Sequence, residues 1–143
     1  MRTVRRGIGA VLALILVLAL AGCSGKPLPE GMEEEALLDA GREIVTLLNE
    51  GDYQAVYDRM REDGQEASTV EDVQKAMEDL LEQVGAYVKE TDSMATGQTL
   101  SSGEEYGTAV LYCKHEKKNV VYRVAFSGQM ELLGFTLGEQ SIF

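Results

Sequence analysis

The sequence predicts an α+β fold in which three helices precede an antiparallel sheet of about four strands. Up to Gly85 the apolar residues recur at intervals of three and four, which is typical of amphipathic helices. After Gly85 they alternate with polar residues, which is typical of half-buried strands. Because the predicted strands follow one another through short turns, they favour an antiparallel meander with the helices packed on one face.

The first predicted helix runs from Glu33 to Glu50. Three glutamates in its first turn, residues 33–35, complement the helix dipole. Gly51 follows as a residue that can end the helix in a left-handed conformation. The residues that form its buried face are Leu37, Leu38, Ile44, Val45, Leu47 and Leu48.

A short second helix and a longer third helix follow. Asp52 is a predicted N-cap for the second helix, and the polar residues 61–67 are predicted to form a loop. The third helix spans residues 70–84, begins with a capping box and ends at Gly85. Two capping pairs are compatible with the sequence, Ser68 with Glu71 and Thr69 with Asp72. The apolar stripes are Tyr53, Val56, Tyr57 and Met60 in the second helix and Val73, Met77, Leu80, Leu81 and Val84 in the third.

Four strands are predicted after the helices. They cover residues 87 to about 95, 106–114, 120–126 and 130–137. Polar or glycine-containing turns separate them at residues 98–105, 115–119 and 127–129. The third strand supplies a row of inward-facing residues, namely Val120, Tyr122, Val124 and Phe126.

The N-terminal residues have the layout of a secretory signal peptide. Three arginines precede an apolar run from Ile8 to Ala21, whose 14 residues are fewer than the roughly 20 that a membrane-spanning helix needs. The stretch Leu20-Ala21-Gly22-Cys23 resembles a bacterial lipobox. That resemblance implies a diacylglyceryl group on Cys23 and cleavage between Gly22 and Cys23. It also implies a lipid-anchored protein on the extracytoplasmic face of the cell membrane.

The predicted organisation is a signal peptide at 1–22, a flexible tether at 23–32 and a single α+β domain at 33–143. Two prolines and two glycines in the tether argue against regular structure there. Residues 23–143 keep ten basic and 24 acidic residues, a formal net charge of −14. Nucleic acid would repel so acidic a domain, so we expect no nucleic-acid partner. The expected partners are the membrane, through the lipid, and an unknown protein or small ligand.

Three segments carry a family resemblance, namely residues 47–53, 80–87 and 121–126 together with 132–135. In their order and spacing they resemble small bacterial lipoproteins that carry a domain of unknown function. That domain is related to the nuclear-transport-factor-2-like, cystatin-like cone. The resemblance implies a curved sheet wrapped by helices, often with a pocket, and leaves a homodimer open because sheet faces in this fold often pair. It implies no reaction.

The sequence contains no recognised catalytic motif, and one histidine with one unlipidated cysteine cannot fill a zinc site. No metal and no cofactor are therefore expected. Cys113 lies in an apolar strand and is predicted to be a core residue, whereas His115 is predicted to be exposed at a charged hairpin tip. The candidate pocket residues are Tyr53, Tyr57, Tyr87, Tyr112 and Tyr122.

Two functional classes remain on these observations. The favoured one is a membrane-anchored binding or interaction module whose cone mouth or sheet face holds a small ligand or a partner. The alternative is a small enzyme that uses a tyrosine or a carboxylate inside the cone pocket. An ionisable side chain pointing into an enclosed pocket would favour the enzyme, and a cone filled by Leu, Val and Phe would favour the binding module.

Overall fold

The computed structural model describes residues 27–139, and in them four helices precede four strands. The predicted α+β order is therefore confirmed, whereas the signal peptide, its cleavage site and the lipid attachment at Cys23 lie outside the described residues. None of the helices in this part of the chain is long and apolar enough to cross a membrane. The elements are α1 Glu34–Glu50, α2 Tyr53–Arg59, α3 Glu62–Ala67, α4 Val70–Val84, β1 Tyr87–Thr99, β2 Glu105–His115, β3 Asn119–Ser127 and β4 Leu132–Glu139.

The helices begin and end at the residues that local chemistry selects. The Asp52 side chain accepts a hydrogen bond from the Ala55 amide at the start of α2. Of the two predicted capping boxes at the start of α4, the structure forms the one between Thr69 and Asp72. Gly51 and Gly85 end α1 and α4 with φ of 82° and 83°, a conformation that favours glycine.

The loop predicted at residues 61–67 is wrong, because Glu62–Ala67 forms the short helix α3. The Arg61 amide donates to the Leu132 carbonyl at 2.8 Å, which fixes the chain just before the helix begins. Its guanidinium contacts Glu104 and Asp63 at 2.7 and 2.9 Å. The contacts with Leu132 and Glu104 join residues that are distant in the sequence, so tertiary structure here outweighs the local preference of glycine and polar residues for a loop.

The sheet is curved and antiparallel, with the strand order β1-β2-β3-β4. The predicted meander is therefore confirmed. The strands extend beyond the predicted limits, most clearly in β1, which continues to Thr99. Two register shifts near the start of β1, between Tyr87 and Lys89 and between Glu90 and Asp92, distort this edge strand. Bulges of this kind protect an exposed edge against pairing with other chains.

The helices cover one face of the sheet, which we call the core face. All four residues of the predicted inward row on β3 are buried on it, with at most 4 % of their surface exposed. Strand pairing sets Val124 beside Ala109 and Phe135, and Tyr122 beside Leu111 and Leu137. The same core cluster includes the helix residues Leu37, Ile44, Leu48, Val56, Val73, Met77 and Leu80.

The α1 helix approaches β2 closely at Gly41. A Cβ added there would lie 2.7 Å from the Ala109 Cβ, so something would have to shift. Two small residues therefore let a helix backbone lie directly on the sheet. This contact fixes α1 over the middle of the core face.

The described part of the predicted tether, residues 27–32, packs on the end of the sheet. Gly97 and Gly107 face each other on β1 and β2. A Cβ on Gly97 would collide with the Pro27 carbonyl, and one on Gly107 would collide with the Met32 sulfur. Leu28 and Met32 are partly buried against the core. The chain is thus held by the domain from Pro27 onward.

Candidate functional site

His115 is buried, and its predicted exposure at a hairpin tip is wrong. Only 1 % of its surface is exposed. It is the last residue of β2, two positions after Cys113 on the same face, so the alternation of the strand turns it inward. The charged tip begins one residue later, at Glu116.

Both ring nitrogens of His115 have hydrogen-bond partners. Nδ1 lies 2.8 Å from the Gly85 carbonyl oxygen, and Nε2 lies 2.8 Å from the Tyr122 hydroxyl. A carbonyl only accepts, so Nδ1 carries the proton and Nε2 accepts from Tyr122. The Tyr122 oxygen in turn accepts from the Asn49 amide at 3.1 Å, and the same amide also donates to the Val45 carbonyl at 2.9 Å. We call His115, Tyr122 and Asn49 the histidine network.

Tyr87 and Cys113 border the histidine network. The Tyr87 ring meets His115 edge to face, with 5.5 Å between the ring centroids. The Tyr87 hydroxyl interacts with the Cys113 thiol. Cys113 is 1 % exposed, so its predicted place in the core is confirmed.

Burial keeps these groups neutral. It lowers the pKa of His115, with the hydrogen bond to Gly85 opposing it, and raises the pKa of the Cys113 thiol to about 11. It also raises the pKa of Tyr87 to about 12, and that of Tyr122 further. At neutral pH the histidine network and the two side chains that border it are therefore uncharged: the imidazole of His115, the thiol of Cys113 and the phenols of Tyr87 and Tyr122. A buried protonated thiol is a poor nucleophile.

The five candidate tyrosines do not converge on one place. Tyr87 and Tyr122 meet at His115, whereas Tyr53 and Tyr57 lie on α2, where the Tyr57 hydroxyl donates to the Gln65 carbonyl at 3.1 Å. Tyr112 lies on the other face of the sheet, with its hydroxyl 3.8 Å from the Met94 sulfur. Asn49 and His115 were not predicted to belong to a cluster. The alternation through Cys113 could have placed His115, but nothing local signals Asn49.

The sheet face opposite the helices, which we call the outer face, presents a mixed surface. Met94 is 43 % exposed and lies beside the half-buried Tyr112. Strand pairing places Val110 between Met94 and the exposed Arg123 in one row across the strands. An aromatic ring, a thioether and a guanidinium in proximity are side chains favoured at protein interfaces.

Two arginines join the helical layer to the sheet. Arg42 on α1 bonds Glu90 on β1 at 3.0 Å and Asp39 at 2.9 Å, and Arg61 bonds Glu104 and Asp63. Arg61 lowers the pKa of the Asp63 carboxyl. Within residues 27–139, no three His, Cys, Asp or Glu side chains are placed so that they could hold a metal ion.

Comparison with known proteins gives a family and a solved relative. Residues 41–135 match the family described as Protein of unknown function (DUF3887). An NMR structure of a protein from Ruminococcus gnavus ATCC 29149 is similar to the chain, with 28 % identity and a TM-score of 0.67. The match covers 80 % of this chain and 99 % of that one. No curated protein matches. Since the family model matches well over half of its residues, the chain belongs to the DUF3887 family.

Proposed function

We propose that this protein is a lipid-anchored extracytoplasmic protein whose α+β domain, a cystatin-like cone, binds a small ligand or a protein partner. The lipid would be attached to Cys23 after removal of residues 1–22. The binding surface would be the outer face around Met94, Tyr112 and Arg123. We favour binding over catalysis because both ring nitrogens of His115, the single histidine, are already hydrogen-bonded within the domain.

The start of the folded domain supports the anchor. Pro27, the first residue that the structure describes, is already held by the domain and lies only four positions after Cys23. A lipobox cysteine directly before a folded domain matches a lipoprotein that is cut and lipidated at that cysteine. A lipid there would hold the domain at the membrane without any membrane-binding surface of its own.

The filling of the core face supports binding rather than catalysis. A catalytic acid or base needs access to substrate and a pKa suited to proton transfer. His115 is 1 % exposed, and its nitrogens are occupied by Gly85 and Tyr122. The rest of the face is occupied by Leu, Val and Phe side chains such as Leu111, Val124 and Phe135. The alternative, a small enzyme with a tyrosine or carboxylate in the cone, would need a reactive group that substrate can reach.

Lipid attachment is tested by replacing each cysteine in turn. Cys23→Ala should abolish incorporation of a labelled fatty acid in growing cells, because the thioether can form only on that sulfur. Cys113→Ala is the matched control, because its thiol is buried, and it should label as strongly as the wild type. Gel fluorography of the purified protein gives the readout. Strong label in Cys23→Ala, or lost label in Cys113→Ala, would contradict the anchor.

Binding at the outer face is tested by capture of partners from native membranes. The double variant Tyr112→Ala with Arg123→Glu should lose, by about tenfold or more, a partner that the wild type retains, since a few central residues carry most interface energy. Gln74→Ala, exposed on the opposite side in α4, is the control and should retain it. Sedimentation of the purified protein tells whether the partner is a second copy. Equal recovery by the double variant would contradict the assigned surface. A substrate turned over by the purified domain would instead favour the enzyme.

A further inference from the structure

We propose that one end of the domain lies against the lipid headgroups and that the opposite end points away from the membrane. The membrane-proximal end is formed by residues 27–32 with the turns at 100–104 and 128–131. The distal end is the hairpin tip at 116–118. The proposal rests on the proposed lipid attachment at Cys23.

The chain between the proposed lipid and the domain is short. Pro27 is held by the domain, because its carbonyl lies where a side chain on Gly97 would be. Four residue steps separate it from Cys23. Consecutive Cα atoms are about 3.8 Å apart, so the Pro27 Cα can lie at most about 15 Å from that of the lipidated residue. Whatever conformation residues 24–26 adopt, Pro27 stays close to the membrane surface.

Pro27 lies much nearer to one end of the sheet than to the other. It packs at Gly97, three residues before Leu100, where the β1–β2 turn begins. At about 3.3 Å per residue, that turn lies roughly 10 Å beyond Pro27. The other end of β2, at His115, is eight residues beyond Gly107, the partner of Gly97, and therefore roughly 26 Å away. The tether, at most about 15 Å long, can therefore reach past the β1–β2 turn, but it is much shorter than the roughly 26 Å that separate Pro27 from the hairpin end of β2.

The antiparallel register brings the β3–β4 turn to the same end. Phe126 pairs with Gly107 on one side and with Leu132 on the other. The turn between Phe126 and Leu132, at residues 128–131, therefore lies beside the β1–β2 turn. Segment 27–32 and both turns thus form one continuous end of the domain.

Charge disfavours an orientation in which the helices lie flat on an anionic membrane. The tips of the two turns, at residues 101–103 and 128–129, are uncharged, although Glu30 and Glu131 at the same end are exposed. The nearby Glu104 is paired with Arg61 at 2.7 Å. The helices, in contrast, expose many carboxylates, which anionic headgroups would repel. The exposed acidic residues of α1 beyond its first turn and of α4 include Asp39, Glu43, Glu71, Asp72, Glu78 and Glu82.

The test measures the depth of labelled positions in the full lipidated protein. Ser102→Cys reports the proximal turn, Lys117→Cys the distal tip and Arg123→Cys the outer face, and all three positions are exposed. A maleimide fluorophore should react with the new cysteine, because Cys113 is 1 % exposed and the sulfur of Cys23 carries the lipid. The protein without an added cysteine is the labelling control. The readout is quenching by headgroup-spin-labelled lipid in vesicles of phosphatidylcholine and phosphatidylglycerol.

We expect quenching at position 102 to exceed quenching at positions 117 and 123 by severalfold. Equal quenching at 102 and 117 would overturn the proposal, and stronger quenching at 123 would show instead that the outer face lies on the membrane. Mass spectrometry of the same sample tests the lipid attachment at Cys23 separately from the orientation of the domain. A lipid on Cys23 without the quenching gradient rejects only the orientation, whereas an absent lipid rejects the proposed anchor as well.

A longer tether provides a second test that keeps the domain intact. Ten Gly and Ser residues inserted between Lys26 and Pro27 would add roughly 18 Å of average reach, since flexible chains extend about 5–6 Å times the square root of their length. Quenching at position 102 should then fall severalfold. Unchanged quenching would mean that the tether does not set the orientation, which would overturn the proposal.

Discussion

Val124→Asp is expected to unfold the domain. Val124 is fully buried on the core face, between Ala109 and Phe135 in the strand register and below Gly41 of α1. The change removes apolar burial worth about 1.5–3 kcal/mol. It also places a carboxylate where no hydrogen-bond donor has been provided, at a cost of several kcal/mol. The summed loss approaches the free energy of unfolding of a whole domain, which is typically about 5–15 kcal/mol.

Thermal unfolding followed by circular dichroism measures this effect. The wild type should melt cooperatively, whereas Val124→Asp should show no cooperative transition. Arg123→Asp is the matched control, because its side chain is exposed on the outer face one residue earlier. It should melt within a few degrees of the wild type. A cooperative melt of Val124→Asp near the wild-type temperature would mean that the core face is assigned to the wrong side of the strand.

Local signals explain the parts of the fold that the sequence predicted well. The Asp52 cap, the Thr69–Asp72 box and the glycine at position 51 act within a few residues of one another, so a single helix end contains all the information needed. The inward row on β3 follows from alternation alone. These elements could be identified without knowledge of their neighbours in space.

Two features were not predicted because contacts with residues distant in the sequence determine them, namely helix α3 and the place of Asn49. Helix α3 depends on contacts of Arg61 with Leu132 and Glu104, and neither lies near it in the sequence. The exposure predicted for His115 is a different kind of error, because it follows from the charged neighbours on one side and ignores the local alternation with Cys113, which places His115 in the core. Its indirect partner Asn49 lies 73 residues before Tyr122. A hydrogen-bond chain over that separation leaves no local pattern, so the place of Asn49 in the histidine network could not be predicted.

His115→Ala should destabilise the domain by about 2–4 kcal/mol near pH 8, contrary to the small effect expected of an exposed histidine. The change removes one buried and one partly buried hydrogen bond, and it leaves the Gly85 carbonyl and the O–H donor of Tyr122 without the imidazole. A buried polar group left unpaired costs about 1–3 kcal/mol. Urea unfolding followed by circular dichroism measures the difference. Lys114→Ala, one residue earlier and exposed, is the control and should change stability by less than about 0.5 kcal/mol.

The loss caused by His115→Ala should shrink as the pH falls. Burial lowers the pKa of His115 in the folded state below its ordinary value of 6.5, so the unfolded chain binds the proton more readily. The stability contributed by the neutral histidine is therefore complete above about pH 6.5. It is lost as the pH falls through 6.5 toward the lowered folded-state pKa, by at most about 1.4 kcal/mol per pH unit.

Comparing the wild type with His115→Ala separates the effect of this histidine on stability from that of the other titrating groups. Carboxyls such as Asp63, whose pKa is lowered by Arg61, also weaken the fold in acid, but they do so equally in the wild type and in His115→Ala. The difference between their free energies of unfolding should therefore narrow from pH 8 to pH 5. A difference that stays constant over this range would show that His115 keeps its ordinary pKa in the folded protein. Equal stability of the two proteins at pH 8 would show that the hydrogen bonds to Gly85 and Tyr122 contribute nothing.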